Sequence, residues 1–269
     1  MADLNPMHWW RQLRDLPNSS PSKALAMAVI VSVSCALLVS AAAVWLRPLQ
    51  QANLDAARQA RMQEMVAALP GLGTLIAEAG GDSLEARLVD LGTGTFVEGD
   101  ALGYDVAARA EDPESSIELS ADADIAGLQR RAEQAPIFLL EAEGRLALLV
   151  LPVYGQGYQS VLRGYLALNG DLDDIAGLTF YEQGETPGLG ARIQDASWEA
   201  LWPGTAIADE TGRIAVAVAR GAATAEYEVD GITGATRTGN GVTNLLQFWL
   251  GPDGYGPLLE RLKAEGAGR

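Results

Sequence analysis

The segment Asp230-Gly-Ile-Thr-Gly-Ala-Thr-Arg-Thr238 gathers oxygen-bearing side chains among residues too small to shield them. Asp230, Thr233, Thr236 and Thr238 alternate with Gly231, Gly234 and Ala235, between a predicted strand and a predicted long helix. Small residues let another molecule reach the backbone, and the N–H groups that open a helix have no partner within it, which favours an anion. A phosphate on or beside Thr236 would meet those groups. A Thr-rich N-cap and turn without any ligand has the same composition, so the residues alone leave both readings open.

Other chemistries are excluded more firmly. The chain has one histidine, His8, and one cysteine, Cys35. No internal disulfide, Cys/His metal cluster or histidine-based catalytic triad can be built from them, so no catalytic residue and no metal ligand is assigned. The net charge of −16 is uneven: residues 1–48 carry +2, and the remainder, with 15 basic and 33 acidic residues, carries −18. A domain that acidic repels phosphate backbones, which argues against nucleic-acid binding. With 269 residues, 48% of them apolar, the chain has the composition of a globular protein and length for one sizeable core.

The elements that must position the segment are legible in part. Val242, Leu245, Leu246 and Trp249 form one apolar stripe at helical spacing, closed by Gly251-Pro252. Thr236–Asn240 supplies cap-type residues at its start. Upstream, Ile137–Leu140 and Arg145–Val153 read as a hairpin around Glu141–Gly144. Strands are predicted at Val161–Leu168, Leu178–Tyr181, Ile214–Ala219 and Tyr227–Val229. Gly184-Glu-Thr-Pro-Gly-Leu-Gly190 is a loop, since glycine and Pro187 do not hold a ladder. Tyr154 and Tyr158, around a glycine-spaced loop, read as core or turn aromatics. Residues 71–135 show no pattern that places chemistry.

Ala24–Leu46 is an uncharged apolar run. As a helix it spans roughly 35 Å, against a hydrocarbon core of about 30 Å. Trp45, Arg47 and Pro48 close it as an interfacial anchor would. Ala41-Ala42-Ala43 also fits a signal-peptide cut, but the run exceeds a signal core and continues past that point, which favours a retained anchor. Residues 47–70 read as a helix leaving the membrane. Arginine and lysine counts on the two sides of the run tie, so charge does not orient it.

Asp230, Thr233, Gly234, Ala235 and Thr236 resemble the flavinylation signal of proteins that carry FMN in phosphoester linkage to the last threonine. Val153-Tyr-Gly-Gln-Gly157, Leu178-Thr-Phe-Tyr181, Gly184–Gly190, Asn240-Gly-Val and Gly251-Pro-Asp-Gly-Tyr-Gly-Pro257 follow the order seen in the NqrC family, whose members belong to the bacterial Na⁺-translocating NADH:quinone oxidoreductase. The resemblance covers the anchor and residues 136–263.

It implies an α/β (α+β) FMN-binding domain with a mixed or antiparallel sheet behind one N-terminal transmembrane helix. The implied layout is 1–23 cytoplasmic, 24–46 transmembrane, 47–70 juxtamembrane and 71–269 periplasmic, in a bacterial inner membrane. FMN would be esterified to Thr236 by a separate flavin transferase and would relay electrons between NADH and quinone. The five partners in a membrane complex of six chains would do the rest, including Na⁺ transport. Thr233 and Thr238, with the backbone of Gly234 and Ala235, would hold the phosphate. Asp230 and Gly234 would be read by the transferase. Glu185, Thr186, Gly188 and Leu189 would form the loop beside the flavin ring. Two positions depart from the family: Gln183 stands where histidine is common, and Tyr158 where tryptophan is.

The competing readings are an RnfG-type component of a ferredoxin–NAD⁺ oxidoreductase, which has the signal but lacks the Gly251–Pro257 tail, and a cofactor-free periplasmic binding or assembly module. The resemblance generates one expectation about shape. Gly234→Val is predicted to block covalent flavin attachment more than folding, because a branched side chain obstructs close approach; intact mass and an unfolding curve check it. Failure to recover a folded flavin-free variant contradicts it.

Overall fold

The computed structural model describes residues 17, 20, 21, 23–40, 83–142 and 145–266. The chain divides into two units, Met1–Arg61 and Met62–Arg269. In the first, helix α1 (Lys23–Ser40) has a mean hydropathy of 2.1 and is long and apolar enough to cross a membrane. Its Leu25, Val29, Leu37, Leu38 and Val39 are exposed, as lipid-facing side chains would be. The predicted end of the anchor at residues 41–46 and the predicted juxtamembrane helix at 47–70 lie outside the described residues.

In the second unit the apolar runs read as strands between residues 137 and 181 do form the main sheet. The strands are β1 (Ser83–Asp90), β2 (Phe96–Val97), β3 (Ser116–Glu118), β4 (Arg130–Ala132), β5 (Gln134–Ala142), β6 (Arg145–Gln156), β7 (Val161–Asn169), β8 (Asp174–Glu182) and β9 (Thr205–Ala206). Seven of them make one sheet in the order β2-β1-β5-β6-β7-β8-β9, with every neighbouring pair antiparallel. The domain is therefore α+β with an antiparallel sheet. β1 lies in full register on β5, from Ser83 opposite Glu141 to Asp90 opposite Gln134. The excursion between them carries helix α2 (Val106–Glu111) and the β3–β4 pair. These elements fall in 71–135, where single-sequence patterning is silent: the strands there are short or carry charges, and only β1 is long.

Alternation explains why β5 and β6 are apolar almost throughout. Successive side chains point to opposite faces. Ile137, Leu139, Leu149, Leu151 and Val153 join the main core, while Phe138, Leu140, Leu148 and Val150 form a smaller cluster on the other side. A strand buried on both faces loses the polar-apolar alternation of a half-solvated one. The main core is completed by helix α4 (Thr236–Leu250), which buries Val242, Leu245, Leu246 and Trp249. Helices α3 (Ala196–Glu199) and α5 (Gly256–Glu265) are the remaining α-helices among the described residues of this unit.

Three predicted spans shift. β8 begins at Asp174, four residues before the predicted strand, inside the polar segment. The strand predicted at 214–219 reduces to β10 (Ala217–Val218), paired in parallel with β11 (Glu228–Val229). Its backbone is used elsewhere: Ala215 and Val216 donate to the Ile207 carbonyl, and Val218 donates to the Thr243 hydroxyl of α4 at 2.9 Å. The third shift concerns α4, whose helical residues start at Thr236, so Thr236–Asn240 occupies its first turns and does not cap it.

Trp249 anchors α4 to the sheet. It is fully buried, its indole N–H donates to the Tyr154 carbonyl at 2.7 Å, and its ring packs 4.9 Å from Tyr154 and 5.1 Å from Tyr255. Tyr255, in the Gly251–Pro257 tail, donates its hydroxyl to the Pro152 carbonyl at 2.9 Å. The tail thus returns the chain onto β6. Trp249→Ala is expected to cost about 3–5 kcal/mol, as emptying a buried aromatic site usually does. Denaturant unfolding of the full chain in detergent measures this, and a loss below about 1 kcal/mol contradicts the anchoring role.

Candidate functional site

The strand β11 delivers the chain to a bend that is pinned from both sides. The Asp230 carboxylate accepts from the Ala223 N–H at 2.7 Å, and the Asp230 carbonyl accepts from the Trp198 indole at 3.0 Å. Gly231 donates to the Gly221 carbonyl at 2.8 Å, and Ala235 donates to the Ile232 carbonyl at 3.0 Å. Between them Gly234 adopts φ +80°, a conformation costing a side-chain-bearing residue about 1–2 kcal/mol. The expected effect of Gly234→Val therefore has two parts: a strained turn, and a Cβ within 3.0 Å of the Leu189 side chain.

The helix then starts without a cap. Its N-cap residue is Ala235, which has no side-chain oxygen to offer, and no side-chain cap bond is present. An uncapped first turn leaves N–H groups available to an external acceptor and concentrates the positive end of the helix dipole. Thr236, the first helical residue, is exposed, while Thr238 is buried at 2% exposure.

A second wall comes from the 184–190 loop. Glu185 is 4% exposed and points inward. Its Oε2 accepts from the Thr238 hydroxyl at 2.6 Å, and its Oε1 accepts from the Gln159 N–H at 2.9 Å and from the Ser160 N–H and hydroxyl at 3.1 and 3.0 Å. Burial pushes the Glu185 carboxyl up, but hydrogen bonds from Thr238, Gln159 and Ser160 outweigh it and hold its pKa below the ordinary 4.5. Gln183 accepts from the Glu185 N–H at 2.6 Å and donates to Gln194 at 3.0 Å. It braces the loop with no titrating group.

The third wall is the turn after β6. Gly157 donates to the Ser160 carbonyl at 2.8 Å, and Tyr158 stands 48% exposed. The helix can approach this turn because Gly241 has no side chain; a Cβ there would lie 2.8 Å from the Gln156 carbonyl oxygen.

Together the walls enclose a cleft of about 300 Å³. Thr236, Thr238, Gly234 and Ala235 line it from the helix side, Thr186, Leu189 and Gly190 from the loop, and Tyr158 and Arg237 from the edge. Leu189 is 43% exposed, an apolar side chain offered to whatever occupies the space. Larger recesses of about 500 and 690 Å³ exist elsewhere on the domain, but neither contains a residue of the threonine segment.

The structure thus brings six of the sequence-predicted residues to one cleft: Thr236, Gly234, Ala235, Thr238, Thr186 and Leu189. It does not bring the others. Thr233 and Gly188 are exposed and line no part of it, and Glu185 lies behind the wall with its carboxylate already satisfied. Asp230 is engaged in the bend. Thr238 reaches the cleft, but its hydroxyl proton is given to Glu185. Tyr158 is not a core aromatic, whereas Tyr154 is largely so: it packs on Trp249, and burial pushes its hydroxyl up to about 12. Sequence reasoning missed Arg237 and Gly190. Arg237 stands inside the threonine segment itself, and its signal is that it is the one cation between residues 230 and 238.

The comparisons with known proteins fall on these residues. The FMN-binding domain family matches residues 157–251, from the Tyr158 turn to the end of α4. The C subunit of the Na⁺-translocating NADH-quinone reductase of Vibrio vulnificus is 39% identical over 251 residues, 93% of this chain and 98% of that one. Its counterpart in Pseudomonas aeruginosa is 41% identical over 260 residues, covering 91% and 97%. The chain belongs to the NqrC family of the Na⁺-translocating NADH-quinone reductases. The crystal structure of Shewanella oneidensis NqrC superposes with a TM-score of 0.64 at 36% identity, covering 68% of this chain and 85% of that one. Membership of the NqrC family, and the Gly251–Pro257 tail packed on β6, leave the RnfG-type reading without support.

The Glu185 clamp generates a prediction with a defined sign. Its folded pKa is depressed, so its contribution is complete at neutral pH and is lost as pH falls through the acid range below 4.5. Glu185→Gln should destabilise by about 1–3 kcal/mol at neutral pH, with the gap to the parent closing on acidification. Unfolding curves at several pH values test it; a gap that does not change with pH contradicts it.

Proposed function

We propose that Thr236 carries FMN through a phosphoester and that the domain relays electrons as the NqrC component of a Na⁺-translocating NADH-quinone reductase. The observation that carries this reading is the exposed Thr236 hydroxyl at the first position of an uncapped helix, inside a cleft that belongs to the FMN-binding domain. The residues present fit the group. The free N–H groups of the first turn suit a phosphate, and Leu189, Thr186 and Tyr158 suit the planar ring system.

In the attachment step the Thr236 oxygen bonds to the phosphorus of a flavin nucleotide, and the bond from that phosphorus to its leaving group breaks. That group is a nucleoside monophosphate when the donor is a dinucleotide. The hydroxyl proton departs with it, and the chain gains FMN less water. A separate flavin transferase performs the step, with Asp230 and Gly234 shaping the bend it reads. When bound, the flavin supplies reversible electron uptake and release. This chain binds the phosphate at the head of α4, keeps the loop at 184–190 in place through Glu185, and offers Leu189 to the ring.

The same reading places α1 and residues through 46 across the bacterial inner membrane as a single anchor. The N-terminus would be cytoplasmic, and the domain from residue 71 periplasmic beyond the 47–70 segment. NADH oxidation, quinone reduction and Na⁺ movement would belong to the other five members of the complex. α1 carries no acidic side chain between Ala24 and Ser40 with which to conduct Na⁺.

Co-production of the full chain with a flavin transferase tests attachment. The parent chain should gain the mass of FMN less water and show flavin fluorescence after denaturation, while Thr236→Ala should lose both completely. Retention of the covalent flavin by Thr236→Ala moves the site elsewhere, and absence of flavin from the parent leaves a cofactor-free module.

A further inference from the structure

Arg237 is the second residue of α4, and its guanidinium lies over the Tyr158 ring, 5.0 Å from the centroid. Among the residues that line the cleft it is the one that carries a charge; no carboxylate lines it. That is unusual in a chain carrying −18 beyond residue 48. Arg87, Arg130, Arg163, Arg192, Arg213, Arg261 and Lys263 are each paired with a carboxylate. Among the described residues Arg237 makes no such pair, nor do Arg109, Arg131, Arg145 and Arg220; the contact of Arg237 is an aromatic face at the cleft.

We infer that Arg237 sets the charge of the cleft: it is the counter-charge that a phosphodiester on Thr236 meets, and Tyr158 holds it at that edge. The inference rests on the Thr236 ester proposed above. A phosphodiester keeps one negative charge at neutral pH. Placed in this domain it is repelled by the surrounding acidic surface, and the helix terminus offers only a partial compensating charge. Arginine at the next position supplies a full one. A long flexible side chain would ordinarily spread through solvent, but stacking on Tyr158 narrows its range. Tyrosine at this position therefore serves the cation as well as any ring that enters the cleft.

The test is a two-by-two comparison of melting temperature for the full chain in detergent: parent and Arg237→Gln, each with and without covalent flavin. If the guanidinium and the ester interact, loading should raise the Tm of the parent by about 1–3 °C more than that of Arg237→Gln at low salt. The difference should shrink at about 1 M salt, where surface charges are screened. Arg220→Gln removes an exposed arginine outside the cleft and should behave as the parent does. Equal loading effects in the parent and Arg237→Gln at low salt overturn the inference. Should Arg237→Gln resist loading, Arg237→Lys decides. Loading restored by lysine supports the charge; loading lost in both variants shows that shape matters instead and overturns it. A parent chain that takes no flavin sinks the Thr236 ester itself, which is a different failure.

Discussion

The carboxylate of Glu185 holds together three segments that lie far apart in the chain. One oxygen takes the Thr238 hydroxyl from the first turn of α4, and the other takes the N–H groups of Gln159 and Ser160 beyond the end of β6. Remove it and the helix, the 184–190 loop and the Tyr158 turn lose their common partner, and with it the cleft they enclose. A buried carboxylate is unfavourable unless several donors meet it. Here the donors come from the two walls facing the loop, the helix and the turn, so the same bonds that satisfy the charge fix the geometry of the site.

The parts of this arrangement that were legible in the sequence are those governed by local pattern. The stripe Val242–Trp249 located α4, the apolar runs at 137–153 located the central hairpin, and the glycine-spaced 184–190 segment located a loop. The parts that were not legible depend on pairing across distance. β1 carries charges along its length and is a strand because β5 provides its ladder. β10 is short because the Ala215 and Val216 N–H groups ahead of it serve Ile207 and the Val218 N–H serves Thr243. Glu185 looked like a cleft residue from its place in a family motif, and its inward turn could be seen only once Thr238 and Ser160 were known to lie beside it.

Within the threonine segment, division of labour follows from the fold. Asp230 and Gly231 secure the bend, Gly234 makes the left-handed turn, Ala235 leaves the helix uncapped, and Thr238 is tied to Glu185. Thr236 is left with an exposed hydroxyl and free N–H groups close by. A segment with four oxygen-bearing side chains thus places one of them, the exposed Thr236, directly on the helix end. The ester proposed on Thr236 rests on this exposure together with the position of the segment inside the FMN-binding domain.

The most direct test is fragmentation mass spectrometry of the tryptic peptide Gly221–Arg237 from protein purified out of its own membrane. That peptide contains Thr224, Thr233 and Thr236. The account predicts that the phosphoflavin mass rides on fragments containing Thr236 and is absent from those ending at Thr233. Localisation to Thr233 or Thr224, or an unmodified peptide in a flavin-containing preparation, would contradict it.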